Sequence, residues 1–133
     1  MNRADYDHDQ ENASIGIHGQ VFQAASLQHI RFEMPPGEAD GATTAVGIFM
    51  ENGSGSFLSD LTCYDGNIGF WAGSHQHAAL NLQFTSCLTS ILMIWNWGFA
   101  RENIYVYSCW MAIYCTSIGG IDSQFNGVPC RIP

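Results

Sequence analysis

A repeat of 21 or 22 residues runs through most of this chain and limits the folds that it can adopt. Four short apolar segments, each beginning with a small residue, follow one another at steps of 22, 21 and 22 residues: Gly47-Ile48-Phe49, Gly69-Phe70-Trp71, Ser90-Ile91-Leu92 and Ala112-Ile113-Tyr114. Self-similarity at this period indicates a solenoid in which each repeat contributes one coil.

A second set of apolar segments follows at steps of 31, 21 and 22 residues, so that one coil is about ten residues longer, and alternates apolar with polar residues. Its members are Ile30-Arg31-Phe32, Leu61-Thr62-Cys63, Leu82-Gln83-Phe84 and Ile104-Tyr105-Val106. Alternation with a period of two predicts strands that turn one face toward a core. The residue before each segment is polar and is expected on the outer face: His29, Asp60, Asn81 and Asn103.

Two short strands in each repeat predict the all-β class and, within it, a parallel β-helix of about four to five coils. A leucine-rich repeat has a similar period, but its Leu-x-x-Leu-x-Leu-x-x-Asn signature is missing and its strand-plus-helix unit does not suit two strands. We assign residues 14–118 to the solenoid, with a loop insertion near residues 34–43, where Pro, Gly and charged residues accumulate. Residues 1–13 are predicted to be a disordered or displaced acidic leader, and residues 119–133 an irregular C-terminal tail.

The ends of this solenoid are predicted to be uncapped, since no segment at either end has the pattern of a capping helix. An open last coil offers unpaired N–H and C=O groups to other chains. We therefore expect an incomplete solenoid that is marginally stable or that self-associates through its ends. A monomeric, cooperative thermal transition would contradict this expectation.

The charge balance limits the partners. Twelve acidic residues face four arginines and no lysine, which gives a formal net charge of -8. Such a chain cannot replace the counterions around phosphates, so nucleic acid is excluded, and repulsion disfavours polyanionic sugars. No apolar stretch is long enough to predict a membrane span, and no basic and apolar N-terminal segment predicts a signal peptide. A neutral polysaccharide is the partner that this composition favours.

Cysteines and histidines leave two questions open. Cys87 and Cys109 are 22 residues apart, so they are expected on neighbouring coils, either as a disulfide or as two stacked core thiols. The segment His75-Gln76-His77 predicts a solvated turn, the alternative being two metal-ligating imidazoles on one side of a strand. Because no third ligand stands nearby and no C-x-x-C pair occurs, we expect no metal and no other cofactor.

From Ile15 to about Ser117, the chain resembles the exo-β-1,3-glucanases of glycoside hydrolase family 55, within the pectate-lyase-like β-helix superfamily. The segments that carry the resemblance are Gly16-Ile17-His18-Gly19-Gln20-Val21, Ala25-Ser26-Leu27-Gln28-His29-Ile30, Met50-Glu51-Asn52-Gly53-Ser54-Gly55-Ser56-Phe57-Leu58-Ser59-Asp60-Leu61, Gly66-Asn67-Ile68-Gly69-Phe70-Trp71 and, above all, Ile94-Trp95-Asn96-Trp97-Gly98-Phe99. The resemblance implies a right-handed parallel β-helix, an extracellular protein, and release of glucose from the non-reducing ends of β-1,3-glucan with inversion. Enzymes of this family join two β-helical domains side by side. This chain resembles part of the first, so a second β-helical domain is an expected partner.

The catalytic residues that the resemblance implies are incomplete. An inverting glycosidase needs a general acid and a water molecule held on the opposite side of the sugar. In the family the general acid comes from the second domain, and no residue of this sequence matches it. Gln76 matches a glutamine suited to orienting the water. Two departures weaken the expectation of catalysis, since Ala100 replaces a hydroxyl residue that shares this task and Gly19 replaces a tryptophan.

Residues that occupy the same position in successive repeats form a rank. Two adjacent ranks have different expected roles. The purely apolar rank is expected to point inward: Ile17, Ile48, Phe70, Ile91 and Ile113. The next rank either lines a groove where sugar rings stack on aromatic faces or is the remnant of a contact with a second domain: His18, Phe49, Trp71, Leu92 and Tyr114. Trp71 and Tyr114 are predicted to bind substrate. Trp95 and Trp97 are also predicted to bind substrate. Packing of these two residues at a strand-to-turn corner is an equally favoured alternative.

Three functions remain after these exclusions. The first is a partial exo-β-1,3-glucanase domain whose general acid lies elsewhere. The second is a non-catalytic β-glucan-binding module that kept the aromatic rank. The third is another β-helix hydrolase or lyase that uses local carboxylates such as Asp60 and Asp65.

Overall fold

The computed structural model describes residues 14–20, 22–36, 43–50, 53–97 and 100–115, with only the backbone described at 74–75 and 94–97. The predicted leader, the predicted tail and residues 37–42 of the predicted loop insertion lie outside these ranges. Among the described residues, no helix is long and apolar enough to cross a membrane. The strands are β1 (Ile15–Gly19), β2 (Phe22–Gln23), β3 (Ser26–Gln28), β4 (Arg31–Glu33), β5 (Val46–Met50), β6 (Gly53–Ser54), β7 (Ser56–Tyr64), β8 (Ile68–His75), β9 (His77–Thr85), β10 (Thr89–Trp97), β11 (Ala100–Tyr107) and β12 (Met111–Cys115).

The strands stack in parallel, one coil on the next. Sheet 1 has the order β1-β5-β8-β10-β12, sheet 2 has the order β11-β9-β7-β3 with β4 also on β7, and β2 and β6 form a short third sheet. Neighbouring strands of sheet 1 follow the register of the repeat, since Ile48 pairs with Phe70, Phe70 with Ile91, and Ile91 with Ile113. The predicted parallel β-helix is therefore confirmed.

The core lies between sheets 1 and 2. Ile48, Phe70 and Ile91 of sheet 1 are at most 2% exposed, and Leu61 and Leu82 of sheet 2 are 1% exposed. The first and last members of the inward rank pack against this core but are only half buried, because each has a neighbouring described coil on one side alone. Burial of this stack of apolar side chains is the main favourable contribution to the stability of the coils.

The small residue that begins each repeat has a packing reason. A Cβ atom on Gly47 would lie 2.7 Å from the carbonyl oxygen of Gly69, and one on Gly69 would lie 2.9 Å from the carbonyl oxygen of Ser90. Both distances are shorter than real Cβ atoms tolerate, so the backbone of the next coil would have to move. The ring of Phe84 from sheet 2 also lies against Gly69. Close approach between coils therefore keeps this position small.

The polar rank departs from the strand geometry that alternation predicts. Each of its members has a left-handed backbone with φ between 54° and 56°: His29, Asp60, Asn81 and Asn103. Asn, Asp and His enter this region more readily than other residues with a Cβ atom. The bend changes the phase of the strand, so that Leu58 and Leu61, three positions apart, are both buried. Each coil therefore turns a corner at this rank.

Candidate functional site

One rank of side chains follows the outer surface of sheet 1 through all five of its strands. Its members, which we call the aromatic ladder, pair in register from coil to coil: His18, Phe49, Trp71, Leu92 and Tyr114. The rings of His18 and Phe49 are stacked, with centroids 4.8 Å apart and planes 12° apart. The ring centroids of Phe49 and Trp71 are 4.7 Å apart, and their planes are tilted by 41°. The result is a row of rings that runs along the solenoid axis.

The aromatic ladder is partly open to solvent. Phe49, Trp71 and Leu92 are half buried, whereas His18 and Tyr114 are exposed, the latter by 47%. The Nε1 atom of Trp71 is buried and has no hydrogen-bond acceptor among the described residues. A buried indole N–H without an acceptor has lost its hydrogen bond to water, which lowers stability rather than adding to it. The stabilising contribution of Trp71 therefore comes from ring contacts, and rings that stack on one another along the ladder present mainly their edges to solvent as an apolar surface.

We expect Trp71→Phe to lower the free energy of unfolding by less than about 1 kcal/mol, because the ring contact with Phe49 is kept and the N–H that is lost has no acceptor. Trp71→Ala, which removes the ring, is expected to cost about 1.5–3 kcal/mol. Urea denaturation of the two variants measures this difference. Equal losses would show that the indole nitrogen, and not the ring stack, stabilises this coil.

Gln76, the residue predicted to orient a water, lies at the C-terminal end of sheet 1. It is exposed, has a left-handed φ of 47°, and forms the corner between β8 and β9. Its carbonyl oxygen accepts a hydrogen bond of 2.8 Å from the backbone N–H of Gly55. Trp71 precedes it by five residues on β8, which corresponds to about 16 Å of extended strand. Gln76 therefore lies just beyond the end of the strand that carries Trp71, too far from Trp71 for direct contact.

The Trp-Asn-Trp segment approaches the same end of sheet 1. After an irregularity that follows Met93, the backbone of Trp95 pairs with Gly73 and that of Trp97 pairs with His75. The segment thus lies one coil beyond the residues that lead to Gln76. The side chains of Trp95 and Trp97 lie outside the described part of the structure, so their role in substrate binding stays a prediction.

The interpretation of His75-Gln76-His77 as a solvated turn was wrong for one of its residues. His77 begins β9 and is 2% exposed, because the side chain at this position of the repeat points into the solenoid. The preceding residue, Gln76, is exposed and points the opposite way. The side chain of His75 lies outside the described residues. Within the described ranges, no group of three His, Cys, Asp or Glu side chains is placed to hold a metal ion.

A second row of side chains, which we call the polar ladder, follows the left-handed corners next to sheet 2. The amide nitrogen of Asn103 donates to Oδ1 of Asn81, and that of Asn81 donates to Oδ1 of Asp60, each at 3.0 Å. The Nδ1 atom of His29 lies 3.9 Å from Oδ2 of Asp60. Beside the ladder is an open depression of about 660 Å³ that Gln83 and Tyr105 also line. This depression lies on sheet 2, away from the aromatic ladder.

Asp60 is a poor general acid in this setting. The hydrogen bond from Asn81, with a further one from Ser59 and the nearby His29, lowers the pKa of Asp60 below its ordinary value. A general acid in a glycosidase needs a raised pKa so that it carries a proton near neutral pH. Asp60 is therefore an ionised member of the polar ladder, and this geometry disfavours Asp60 as the general acid of the function that depends on local carboxylates.

The lowered pKa of Asp60 gives a pH prediction. Its contribution to stability is fully present above the pKa of the unfolded chain, about 3.9, and is lost as the pH falls through the lower folded pKa. Asp60→Asn keeps an acceptor for Asn81 without a titrating group, so its stability should fall less steeply with acid than that of the wild type. Thermal melts between about pH 2 and 6, a range that includes the ordinary carboxyl pKa, measure both slopes. Parallel slopes would contradict the assignment.

Arg101 is a buried residue that the sequence reasoning missed. It pairs with Ala79, which pairs in turn with Leu58, so a charged side chain continues an inward apolar rank in the last described coil. Arg101 is 8% exposed, and burial lowers the pKa of its guanidinium to about 10. The signal in the sequence that could have revealed Arg101 is a charged residue at a repeat position that is apolar in the two preceding coils.

Comparison with known proteins agrees with this geometry. Residues 3–114 match the family model described as Rhamnogalacturonase A/epimerase, pectate lyase-like, so the chain belongs to this pectate-lyase-like family. No solved structure matches the chain. The predicted superfamily is confirmed, and the narrower assignment to glycoside hydrolase family 55 is consistent with the match.

Three individual relatives are similar to most of this chain, and the names of two of them specify a glucan. A probable glucan endo-1,3-beta-glucosidase of Arthroderma benhamiae is 44% identical over 112 residues, which cover 84% of this chain and 12% of that protein. A glucan 1,3-beta-glucosidase of Cochliobolus carbonum is 31% identical over 84% of this chain and 14% of its own length. The non-secreted LysM effector LysM19 of Penicillium expansum is 36% identical over 83% of this chain and 8% of its length. The chain thus spans a small part of each of these relatives.

Proposed function

We propose that this chain is a β-helical part of a glucan 1,3-beta-glucosidase-like glycoside hydrolase, that its aromatic ladder contacts β-1,3-glucan, and that the general acid comes from outside these 133 residues. The observation that carries the proposal is the row of apolar side chains on sheet 1, which repeats once per coil and in which three rings, His18, Phe49 and Trp71, are in contact. A regularly repeating neutral polymer suits a regularly repeating apolar surface. An extracellular location, which the resemblance implies, belongs to the same proposal.

Electrostatics supports a neutral glycan. The formal net charge of -8 repels polyanionic sugars, and the exposed surface of the ladder itself consists of uncharged rings and one imidazole. The names of two relatives specify 1,3-linked glucan, which supports that linkage over others.

The position of Gln76 supports a catalytic origin. It is exposed at the corner where sheet 1 ends, and the backbone of the Trp95–Trp97 segment lies on the adjacent coil at the same end of sheet 1. A side-chain amide at this place can orient a water molecule, but it cannot protonate a leaving group. Catalysis therefore needs a carboxylic acid that this corner does not offer among its described residues.

A non-catalytic β-glucan-binding module is the second candidate, and one residue favours it. Ala100 begins β11 immediately after the Trp95–Phe99 segment, where the resemblance implies a hydroxyl group that would help Gln76 hold the water. Without that hydroxyl group, the ladder can still bind glucan while hydrolysis is lost.

The experiment that separates these functions uses the purified chain, with folding verified by circular dichroism in the same sample. Cosedimentation with insoluble β-1,3-glucan is compared with cosedimentation with cellulose, and glucose release from laminarin is measured in parallel. Binding to β-1,3-glucan without glucose release is the expected result. Glucose release would place a general acid within these 133 residues and overturn that part of the proposal. Failure of the folded chain to bind β-1,3-glucan would overturn the proposed function.

A further inference from the structure

Two cysteines occupy equivalent corners of neighbouring coils. Cys87 lies between β9 and β10, and Cys109 lies between β11 and β12. Each follows a serine with a left-handed backbone, Ser86 with φ 58° and Ser108 with φ 54°. The backbone therefore enters both corners in the same conformation, and the two cysteines occupy equivalent positions of adjacent coils.

Backbone hydrogen bonds fix the distance between these corners. The N–H of Ser86 donates to the carbonyl oxygen of Tyr107 at 3.0 Å, and the N–H of Trp110 donates to that of Cys87 at 3.3 Å. With parallel bonds on both sides, the two Cα atoms are separated by about the spacing of adjacent strands, 4.7–4.9 Å. That spacing lies inside the range of about 4.4–6.8 Å that disulfides require.

The two side chains also interact directly, and the nearest other cysteine is Cys63, whose carbonyl oxygen lies 3.8 Å from Sγ of Cys87. The thiols of Cys87 and Cys109 share a hydrogen bond. The Cys63 thiol, in contrast, is placed to donate to the carbonyl oxygen of Gly69 at 3.6 Å. The equivalent corner of the preceding coil holds Gly66, so the described stack contains these two corner cysteines and no third.

We propose that Cys87 and Cys109 are a disulfide-forming pair that covalently fastens the last described coil to the one before it. The reaction is thiol–disulfide exchange with a low-molecular-weight disulfide such as oxidised glutathione. The Cys109 thiolate attacks one sulfur of that disulfide, forms a mixed disulfide and releases the first glutathione thiolate. Cys87 then loses its proton and attacks the Sγ atom of Cys109, which releases the second glutathione thiolate. Two protein thiols are oxidised, one glutathione disulfide is reduced to two glutathiones, and both protons end on the released thiols.

The acid–base properties of the pair support this order of events. The hydrogen bond from Cys87 lowers the pKa of Cys109 to about 6, and the same bond together with burial raises the pKa of Cys87. Near neutral pH the thiolate is therefore on Cys109, and a thiolate is the attacking species in exchange. Cys109 is also half buried whereas Cys87 is 1% exposed, so a reagent reaches Cys109 first.

The last described coil is the part of the molecule that gains most from such a bond. Among the described strands, β11 and β12 each pair on one side only. Its large side chains are also the most exposed apolar groups described: Tyr105 at 51%, Tyr107 at 61%, Trp110 at 81% and Tyr114 at 47%. A bond between corners 22 positions apart restricts the unfolded chain and so favours the docked coil.

The test compares the reduced chain with the chain equilibrated in oxidised glutathione. Proteolysis and mass spectrometry should find Cys87 linked to Cys109, and the melting temperature should rise by about 10 °C. Cys115→Ser, which removes an exposed cysteine outside the pair, should behave like the wild type, whereas Cys109→Ser should form no such link and gain no stability. A link from Cys87 or Cys109 to Cys63, Cys115 or Cys130, or no disulfide at all, would overturn the proposal.

A second measurement stays informative even if a substitution impairs folding. Alkylation of Cys109 in the reduced wild type should have a midpoint near about pH 6, because its thiolate is stabilised by Cys87. In Cys87→Ala the midpoint should move toward the ordinary thiol value of about 8.5. An unchanged midpoint in the variant would show that the two thiols do not interact.

Discussion

Replacement of Phe70 by alanine is expected to lower the free energy of unfolding by about 3–5 kcal/mol. Phe70 is 0% exposed and lies in the middle strand of sheet 1, between Ile48 and Ile91 on the adjacent coils. The substitution loses the burial of the ring and leaves a cavity that strands held by hydrogen bonds on both sides cannot close. Denaturant unfolding followed by circular dichroism measures the loss.

The matched control is an aromatic residue that points outward. Tyr107, on β11, is 61% exposed, so Tyr107→Ala should change the free energy of unfolding by no more than about 0.5 kcal/mol. If both variants lost the same amount, the inward direction of the rank that contains Phe70 would be wrong.

Replacement of Trp71 by alanine is expected to weaken binding of β-1,3-gluco-oligosaccharides at least about tenfold, or ~1.4 kcal/mol. Trp71 is the largest member of the aromatic ladder and lies at its centre, with Phe49 on one side and Leu92 on the other. Central, partly desolvated aromatic residues carry a large share of the free energy of binding in recognition surfaces. Isothermal titration calorimetry measures the change.

Two further variants separate binding from stability. Trp71→Phe keeps an aromatic face on the ladder and should lose less affinity than Trp71→Ala. Tyr105→Ala removes an exposed ring from the depression on sheet 2, where no contact with glucan is proposed, and should leave the affinity unchanged. A larger loss for Tyr105→Ala than for Trp71→Ala would move the binding surface to sheet 2.

The fold could be predicted from the sequence because the stacking of coils imposes a strict rule on each position. The small residue at the start of each repeat is required where Gly47 approaches the backbone at Gly69, and the inward rank is apolar because it is buried on the inner coils. The left-handed corners were not predicted. Alternation alone cannot distinguish an outward residue such as Asn81 within a strand from the same residue at a bend, although Asn and Asp recurring at one position indicate such a bend.

The site was predicted less completely than the fold. The outward position of Trp71 and Tyr114 follows from the phase of the repeat, and the structure places both on one surface. His77 was misplaced because it follows the corner residue Gln76, after which the chain turns inward again. Arg101 was missed because a charged residue is not expected to be buried at a position that is apolar on the two preceding coils, where Ala79 and Leu58 stand. In each case the error lies at a corner or at a terminal coil, where the average position in the repeat no longer determines burial.

The most direct test of the central claim is to map where a β-1,3-gluco-oligosaccharide binds, by titrating it into isotopically labelled protein and following backbone and aromatic NMR signals. Shifts concentrated at His18, Phe49, Trp71 and Tyr114 are the predicted result, since these residues form the open surface of the aromatic ladder. Shifts confined to the depression around Asn81 and Tyr105, or no shifts in folded protein at millimolar ligand, would contradict the claim that sheet 1 binds glucan.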